Sequence, residues 1–349
     1  MTFTTRFAAT MCMGLAGALA YAPDALALDS YWHGVRSSDW NDGKAGEASN
    51  WYELAPPNGN PTEVPDGTAF FAPGALRKTA VVRVKKSIKK VDFTAGNDKY
   101  TIYVQNPGGL TVKGQGVANA SGQEQGFEVD GKKTFLTLMN NAVTGIGGPA
   151  NRITIINTAS GETRFRGTAS ASNSKITNET DGKVRFYDKA SAGSAELING
   201  QKNSEIHFEG KSTSVAAEIS NLKGSVYFSQ SKRKSVFVQK IDNRKSLIIG
   251  KSVVSIGDTL SLAKKSTVSL IAKKKKTGRI DVANTATLKG KLPVKGAPSV
   301  APGRYTLISS KKNIAGRFNK KPALEGFGSK LKVSIVYRGR KVLLDVQKK

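Results

Sequence analysis

Apolar and polar positions in the middle of the chain recur with a period of 21 to 22 residues. An aliphatic-x-Asn triplet occurs five times, ending at Asn157, Asn178, Asn199, Asn221 and Asn243. A second alternating triplet follows each asparagine, at 163–165, 184–186, 206–208, 226–228 and 247–249. Alternation places successive side chains on opposite faces of a strand, whereas a helix would show apolar spacings of three and four, which these units lack. The pattern therefore predicts short β-strands separated by turns.

The regular period predicts how those strands assemble. Strands stacked at ~4.8 Å place phenylalanine on phenylalanine and form a continuous core that no single coil could bury. We expect the asparagines to take left-handed backbone conformations at sharp corners and to form an amide ladder. The predicted fold is all-β, a single-stranded right-handed parallel β-helix with coils of about 21–22 residues and a C-terminal antiparallel β-cap. A β-sandwich with coincidental spacing is the alternative, which five consecutive matches disfavour.

The flanking sequence predicts four segments. Residues 1–27 form a signal peptide, 28–78 a tryptophan-rich start of the solenoid, 79–295 the coils, and 296–349 the terminal β-cap. Within the cap, two strands are expected to form a hairpin around residues 338–340, because alternating runs flank that glycine.

The amino-terminal segment has the order of features found in secretory signal peptides. Arg6 precedes an apolar stretch at 8–22, and small residues at 25 and 27 predict cleavage after Ala27. A membrane anchor is the alternative, but about 15 apolar residues are short for a span of ~20. The chain's single cysteine, Cys12, lies in this segment. The predicted mature protein is exported, and it has no disulfide and no thiolate site.

Both ends of the predicted mature chain, together with the repeats, resemble the passengers of bacterial autotransporters, including the pertactin-like β-helices. The segments that carry this resemblance are 32–34, 39–41, 50–51, 64–67, 69–71, 176–178, 190–195, 278–282, 286–292, 302–308, 315–318 and 342–346. The resemblance implies a β-helix that begins at the tryptophans and a terminal region that assists folding.

The family pattern continues into an outer-membrane translocator barrel, whereas the sequence given ends at Lys349. A barrel of about 12 strands of ~10 residues would require far more chain. We expect a passenger without its own carrier. Three interpretations stay open: a stand-alone secreted relative, a split system whose partner is a separately encoded barrel, and a truncated product. The expected location is extracellular or at the cell surface, or the periplasm where no carrier exists.

Charge is concentrated in the last third of the chain. Residues 1–228 hold 24 Lys+Arg and 21 Asp+Glu, a net charge of +3, whereas residues 229–349 hold 30 and 5, a net charge of +25. On a solenoid, basic side chains at turns would align into a ridge that attracts lipopolysaccharide, acidic glycans or extracellular DNA. The same lysines could instead keep the fold soluble and block edge pairing. The candidate polyanion-binding residues are Lys232, Arg233, Lys234, Lys264, Lys265, Lys273, Lys274, Lys275 and Lys276.

The sequence predicts no catalytic, cofactor-binding or metal site. The two histidines, His33 and His207, have no partner in a recognisable motif, and we expect the outward-pointing His207 to be solvated. Asp188 and Glu209, each ten residues after a repeat asparagine, are the best candidate carboxylate pair for a polysaccharide-cleaving enzyme. No motif for sequence-specific nucleic-acid recognition is present.

The leading hypothesis is thus a noncatalytic, exported, adhesin-like solenoid that attaches to surfaces or matrix through a basic face. A structural passenger remnant without a ligand and a polysaccharide-cleaving β-helix enzyme are the two alternatives.

Overall fold

The computed structural model describes residues 27–43, 47, 49–146, 149–228, 231, 235–318 and 322–349. Residues 1–26 of the predicted signal peptide lie outside these ranges. The helical structure found within the described ranges is a short 3₁₀ turn at Pro149–Asn151. No helix in them has both the length and the apolar character needed to cross a membrane.

The first ten strands form the start of the stack. In chain order they are β1 (Ser30–Trp32), β2 (Trp51–Tyr52), β3 (Thr68–Phe71), β4 (Thr79–Val82), β5 (Lys85–Phe93), β6 (Thr101–Gln105), β7 (Gly109–Asn119), β8 (Gln125–Asp130), β9 (Phe135–Leu138) and β10 (Val143–Ile146).

The next eleven strands contain the sequence repeats. They are β11 (Ile153–Thr158), β12 (Glu162–Phe165), β13 (Lys175–Asn178), β14 (Lys183–Phe186), β15 (Glu196–Asn199), β16 (Glu205–Phe208), β17 (Glu218–Asn221), β18 (Ser225–Tyr227), β19 (Val236–Val238), β20 (Lys240–Asn243) and β21 (Ser246–Gly250).

The last twelve strands complete the basic third of the chain. They are β22 (Val253–Ile256), β23 (Leu260–Leu262), β24 (Thr267–Lys273), β25 (Lys276–Thr277), β26 (Arg279–Val282), β27 (Thr285–Leu288), β28 (Val294–Lys295), β29 (Gly303–Ser310), β30 (Asn313–Gly316), β31 (Leu324–Glu325), β32 (Leu331–Arg338) and β33 (Lys341–Lys348).

These strands form a parallel β-solenoid of about ten turns, as the period predicts. One long sheet runs through β3-β5-β7-β9-β12-β14-β16-β18-β21-β24, and a second sheet runs through β4-β6-β8-β11-β13-β15-β17-β20-β23-β27. We call the first the Phe sheet and the second the Asn sheet, after the residues that their repeat strands point inward. A third sheet, in the order β19-β22-β26-β29-β33-β32, closes the C-terminal part.

Register between coils is set by identical residues. Phe165, Phe186, Phe208 and Phe228 stack with ring centroids 4.9 to 5.2 Å apart and nearly parallel planes. All four rings are buried. On the Asn sheet, Asn157 pairs with Asn178, and the same pairing continues through Asn199 and Asn221 to Asn243. The five repeat asparagines therefore occupy one column, as the sequence predicts.

The asparagine column is a hydrogen-bonded ladder inside the core. Each Nδ2 donates to the Oδ1 of the next coil's asparagine, with distances of 2.8, 3.0, 3.1 and 2.6 Å from Asn157 to Asn243. The expected left-handed backbone at these asparagines is wrong, because positive φ angles occur in the turns that follow, at Ser160, Asp181 and Asn203. Each asparagine lies at or next to the end of its strand with its amide turned inward, where buried polar groups need partners. Besides the neighbouring amide, Asn157 Oδ1 accepts from the Thr163 hydroxyl, and Asn178 Nδ2 donates to Glu205 O.

The third side of the repeat coils is built from small residues. Isolated parallel bridges join Val143, Ser170, Ser191 and Thr213 in successive coils. Alanines at 169, 171, 190 and 192 point inward beside them and are fully buried. Small side chains let this side approach the phenylalanine stack, which gives each coil three sides.

The tryptophan-rich segment closes the first coil. Trp51 packs edge-on against Trp32 at 5.1 Å and Trp40 at 4.8 Å, and all three rings are buried. Backbone bonds between residues 38–40 and Val81 cover the free edge of β4. Just before β1, the backbone N–H of Leu28 donates to Asp66 Oδ1 at 2.7 Å. An exposed strand edge invites pairing with other chains, so the segment acts as a cap.

The other end of the solenoid is antiparallel. β33 pairs with β29 on one side and with β32 on the other, and β32 and β33 form the hairpin expected around residues 338–340. Val342, Leu344 and Val346 of β33 are buried against the core. This end presents β32 as the outermost strand of the third sheet.

Candidate anion-binding surfaces and the outer charge cluster

Basic side chains stack from coil to coil at the corner between the Asn sheet and the Phe sheet. We call this set the corner ridge. All its members are exposed and lie on five successive coils: Lys202, Lys223, Arg244, Lys245, Lys264, Lys265, Lys289 and Lys291. The preceding coil carries Glu179 and Asp181 at the same corner. The ridge therefore begins where the corner changes from acidic to basic.

Backbone bonds fix the alignment of the corner ridge. The N–H groups of Leu222, Arg244 and Ala263 each donate to the repeat asparagine one coil earlier, at 2.8 to 3.0 Å. On the other side of the corner, Thr267 N–H donates to Lys245 O at 2.7 Å, and Lys291 N–H donates to Ser266 O at 2.8 Å. Because the strand spacing is ~4.8 Å, five coils carry the ridge over about 19 Å.

The candidate residues named from the sequence fall into two separate places. Lys264 and Lys265 belong to the corner ridge. Lys273, Lys274, Lys275 and Lys276 form a tight hairpin, in which Lys273 pairs with Lys276 and Lys274 has a φ of 54°. The two sites lie at opposite ends of β24, whose seven residues, ending at Lys273, span about 23 Å. The expected single ridge is thus two surfaces, while Lys232, Arg233 and Lys234 lie outside the described residues.

The lysine hairpin stands beside the third sheet. Tyr305 of β29 donates its hydroxyl to Lys274 O at 3.3 Å and to Ala301 O at 2.6 Å. The neighbouring surface includes Lys251, Arg279 and Arg304. Lysine runs in the sequence predict the hairpin's charge, but only the fold brings it next to these side chains.

A cluster of ion pairs covers the outward face of the Phe sheet in the repeat coils. Arg164, Arg185, His207 and Tyr227 occupy one outward column on β12, β14, β16 and β18. Glu162, Lys183 and Glu205 form the column beside it. We call these seven residues and Glu209 the outer charge cluster. Along the second column, the acids Glu162 and Glu205 alternate with the base Lys183.

Arg185 stands at the centre of the outer charge cluster. Its guanidinium lies 3.1 Å from Glu162 and 2.9 Å from Glu209. Arg164 contacts Glu162 at 2.6 Å and also lies over the Phe135 ring, 4.6 Å from its centroid. Arg185 thus joins carboxylates from its own strand's two neighbouring coils, and Glu162 bridges Arg164 and Arg185.

His207 is buried, contrary to the solvated side chain expected from its outward position. It is 5% exposed because its ring stacks on Tyr227 at 4.3 Å while its Nε2 lies 2.9 Å from Glu205. The hydrogen bond from His207, helped by Lys183 at 3.1 Å, lowers the pKa of Glu205 to about 2 despite its partial burial. Glu205 is therefore a carboxylate throughout the neutral and mildly acidic range.

His33 packs in the N-terminal cap. Its ring stacks on Tyr52 at 4.0 Å, and its Nε2 lies 2.8 Å from Leu54 O. Burial lowers the pKa of this imidazole.

Asp188 and Glu209 do not share a position in the stack. Glu209 lies one coil above Tyr187, whereas Asp188 lies above Gly167 and below Gly210. Counting from the asparagines is misleading here because the corner at 200–204 is one residue longer than the corner at 179–182. Asp188 accepts a bond from Gly167 N–H at 3.0 Å, while Glu209 is bound to Arg185. Each carboxylate thus has its own structural contact.

Comparisons with known proteins add a structural likeness. No family model and no curated protein matches the sequence. The crystal structure of the Haemophilus influenzae Hap adhesin is similar, with 11% sequence identity over 87% of this chain and 44% of that chain, and a TM-score of 0.25. The chain therefore spans less than half of that structure. The assignment of a parallel β-solenoid rests on the strand ladders, and it is the fold that the resemblance to autotransporter passengers implies.

Proposed function

We propose that the protein is an exported, noncatalytic solenoid of the autotransporter-passenger type, which attaches to anionic polymers or surfaces through its basic C-terminal part. The observation that carries this proposal is the corner ridge, in which eight exposed cations follow one another on five coils. Export is supported by the predicted signal peptide and by the resemblance to passengers.

The physical basis is the addition of electrostatic fields from aligned charges. Cations ~4.8 Å apart lie within the Debye length of about 8 Å at physiological salt, so their potentials reinforce one another. Their lysine-rich composition suits flexible polymers, because an ammonium group attracts any nearby anion without a fixed geometry. We therefore expect sequence-independent binding that weakens steeply with salt.

The noncatalytic part of the proposal is supported by the state of the carboxylates in the outer charge cluster. Polysaccharide hydrolysis requires one carboxyl group that can donate a proton near neutral pH. Glu205 has a pKa of about 2, and Glu162 and Glu209 are paired with Arg185. This arrangement favours a structural role for the cluster.

The test is salt-titrated binding of residues 28–349 to immobilised heparin, lipopolysaccharide and double-stranded DNA. A ridge variant replaces Lys202, Lys223, Arg244, Lys245, Lys264 and Lys265 with glutamine. A matched control replaces six exposed lysines elsewhere, which are Lys85, Lys89, Lys99, Lys113, Lys132 and Lys189. Both variants have the same net charge.

We expect the ridge variant to elute from heparin at clearly lower salt than the control. Equal elution of the two variants would mean that binding reflects net charge alone. Lack of retention of the unaltered protein at physiological salt would favour the alternative of a structural remnant without a ligand.

A further inference from the structure

A continuous trough crosses the outer side of the third sheet at the C-terminal end. Two adjoining depressions, of 730 Å³ and 530 Å³, share Arg304 and Thr306 of β29 and therefore form one groove. The groove runs over the neighbouring strands β22, β26, β29, β33 and β32. Four strand spacings of ~4.8 Å give it a length of about 19 Å along the solenoid axis.

Nine cations line this trough, and each is exposed. They are Lys251, Lys275, Lys276, Arg279, Arg304, Lys311, Arg338, Arg340 and Lys341. Among the described residues, carboxylates contact two of the nine: Asp281 binds Arg279 at 2.8 Å, and Asp345 lies 3.4 Å from Arg304. The trough thus concentrates uncompensated positive charge between walls formed by the lysine hairpin and the β32–β33 turn.

The trough differs from the corner ridge in the type of basic side chain that it presents to a ligand. Four of its nine cations are arginines, whereas the ridge has one arginine among eight. A guanidinium presents a planar fork that matches the paired oxygens of sulfate, phosphate or carboxylate. Arg279 is oriented by Asp281, and Arg340 donates to the backbone oxygen of Lys311. Oriented arginines favour a ligand with anionic groups at defined spacing.

Uncharged lining residues favour a sugar chain over a nucleic acid. The hydroxyl groups of Thr277 and Thr306 lie along the trough, where their oxygens can accept hydrogen bonds from sugar hydroxyls. Ser310 also lines the trough, but it is buried and its hydroxyl is already bonded to Asn284 O and to Asn313 N–H. Tyr305 is the aromatic residue among the described lining residues, and its hydroxyl is tied to backbone oxygens of Ala301 and Lys274. Single-stranded nucleic acids are usually held by several aromatic rings on which bases stack.

We infer that this trough binds one extended segment of a sulfated polysaccharide, laid along the solenoid axis. The inference rests on the proposed attachment function, which it narrows to one site and one ligand class. Cations on β25, β26, β29, β32 and β33, together with those in the adjoining turns, meet sulfate groups. The arginines bind these groups through paired N–H donors, and the threonine hydroxyls contact the sugar between them. The corner ridge adds long-range attraction at a separate edge of the solenoid.

Binding of size-defined heparin oligosaccharides to residues 28–349 tests the site. The trough variant replaces Lys275, Lys276, Arg338 and Lys341 with glutamine. The matched ridge variant replaces Lys223, Lys245, Lys265 and Lys289, so the net charge is the same. Calorimetry at physiological salt with a heparin octasaccharide should show roughly tenfold weaker binding for the trough variant, which corresponds to about 1.4 kcal/mol. We expect less than a threefold change for the ridge variant.

Two further experiments test which chemical groups of the ligand are recognised and whether the result depends on the variants folding correctly. Desulfated heparin of the same length should bind at least tenfold more weakly than the sulfated form, and oligothymidine should bind more weakly than heparin. Acetylation of the unaltered protein should be slowed by heparin at Lys275, Lys276 and Lys341 more than at Lys223 and Lys265, which requires no variant to fold. Tighter binding of oligothymidine at the trough would instead identify a nucleic-acid site.

The outcomes separate this inference from the proposed function. Equal loss in the two variants, or acetylation protection confined to the ridge, would overturn the trough while leaving polyanion attachment intact. Absence of heparin, lipopolysaccharide and DNA binding at physiological salt would overturn both.

Discussion

The repeat coils before residue 229 and the coils after it share one core but differ on their outer surface. In the earlier coils, Arg164 and Arg185 face Glu162, and Lys183 and His207 face Glu205. In the later coils, lysine at the ridge stacks near lysine, and five acidic residues accompany 30 basic ones over 229–349. The comparison teaches that the inward ladder sets the fold, while the outward positions are free to carry either balanced or unbalanced charge.

The difference in outer charge between the two regions affects the stability of the fold. Like charges opposite each other on adjacent strands destabilise by about 0.2–1 kcal/mol per pair, whereas opposite charges stabilise by a similar amount. The earlier coils therefore gain stability from their outer surface, and the later coils lose some. The corner ridge begins at Lys202 and Lys223, before this boundary, and continues through the later coils. An arrangement that costs stability is most simply explained by a use for the charge, which is the basis of the proposed attachment.

Removing a core phenylalanine should have the largest effect on stability, because it disrupts the buried core that the two regions share. Phe186 lies between Phe165 and Phe208 with centroid distances of 4.9 and 5.2 Å. Phe186→Ala should lower the free energy of unfolding by about 3–5 kcal/mol, measured by urea denaturation and circular dichroism. Phe237→Ala, at an outward and partly exposed position of β19, is the control. Equal losses in the two variants would contradict the stacked core.

Breaking the asparagine ladder should lower the free energy of unfolding somewhat less than removing Phe186 does. Asn199→Leu removes the acceptor of Asn178 and the donor to Asn221, leaving buried amide groups unsatisfied. We expect a loss of about 2–3 kcal/mol in the same assay. Asn313→Ala at an exposed position of β30 should change stability by less than about 0.5 kcal/mol. A neutral Asn199 variant would show that the ladder does not hold the coils in register.

The balanced surface predicts a pH dependence. The pKa of Glu205 is about 2 in the folded protein and near 4.3 in an unfolded chain, so its contribution is present above pH ~4.3 and is lost as pH falls towards 2. Glu205→Gln should therefore cost on the order of 2–3 kcal/mol at pH 7 and little at pH 2. The exposed Glu218→Gln is the control. Parallel stability curves for Glu205→Gln and the unaltered protein over this range would contradict the assignment.

The smallest predicted effect concerns the corner ridge, and it is an increase in stability rather than a loss. Replacing Lys223, Lys245 and Lys265 with glutamine should raise the free energy of unfolding by about 0.5–1 kcal/mol at low salt, since it relieves repulsion. The gain should shrink in 1 M salt, where the Debye length is about 3 Å. Arg185→Gln in the outer charge cluster should instead be destabilising. A salt-independent gain would remove electrostatics as its cause.

The sequence was sufficient to predict the repeated part of the molecule, because the constant repeat length shows which residues of successive coils pair with one another. Asn178 and Phe186 recur at the same interval as the coils, so their columns follow from spacing alone. The prediction that Asp188 and Glu209 occupy equivalent positions fails because the corner at 200–204 has one extra residue. A count along the chain cannot show which turn holds such an insertion.

The surfaces were less predictable for a different reason. His207 is buried by Tyr227 from the next coil, and no local pattern around His207 indicates that contact. The trough joins Lys275, Arg304 and Arg340 from three separate parts of the chain. Composition revealed the excess of charge, but the division into ridge and trough depends on which corner each turn occupies.

The bond from Leu28 to Asp66 would change in character if the predicted signal peptide were removed. Cleavage after Ala27, as predicted, would convert the Leu28 amide into a free ammonium group 2.7 Å from a carboxylate oxygen. The hydrogen bond from a neutral amide to this carboxylate would then become an ion pair, just before the first strand of the stack. Processing would thereby fasten the newly created chain end to its own solenoid, so that maturation and capping are completed in one event.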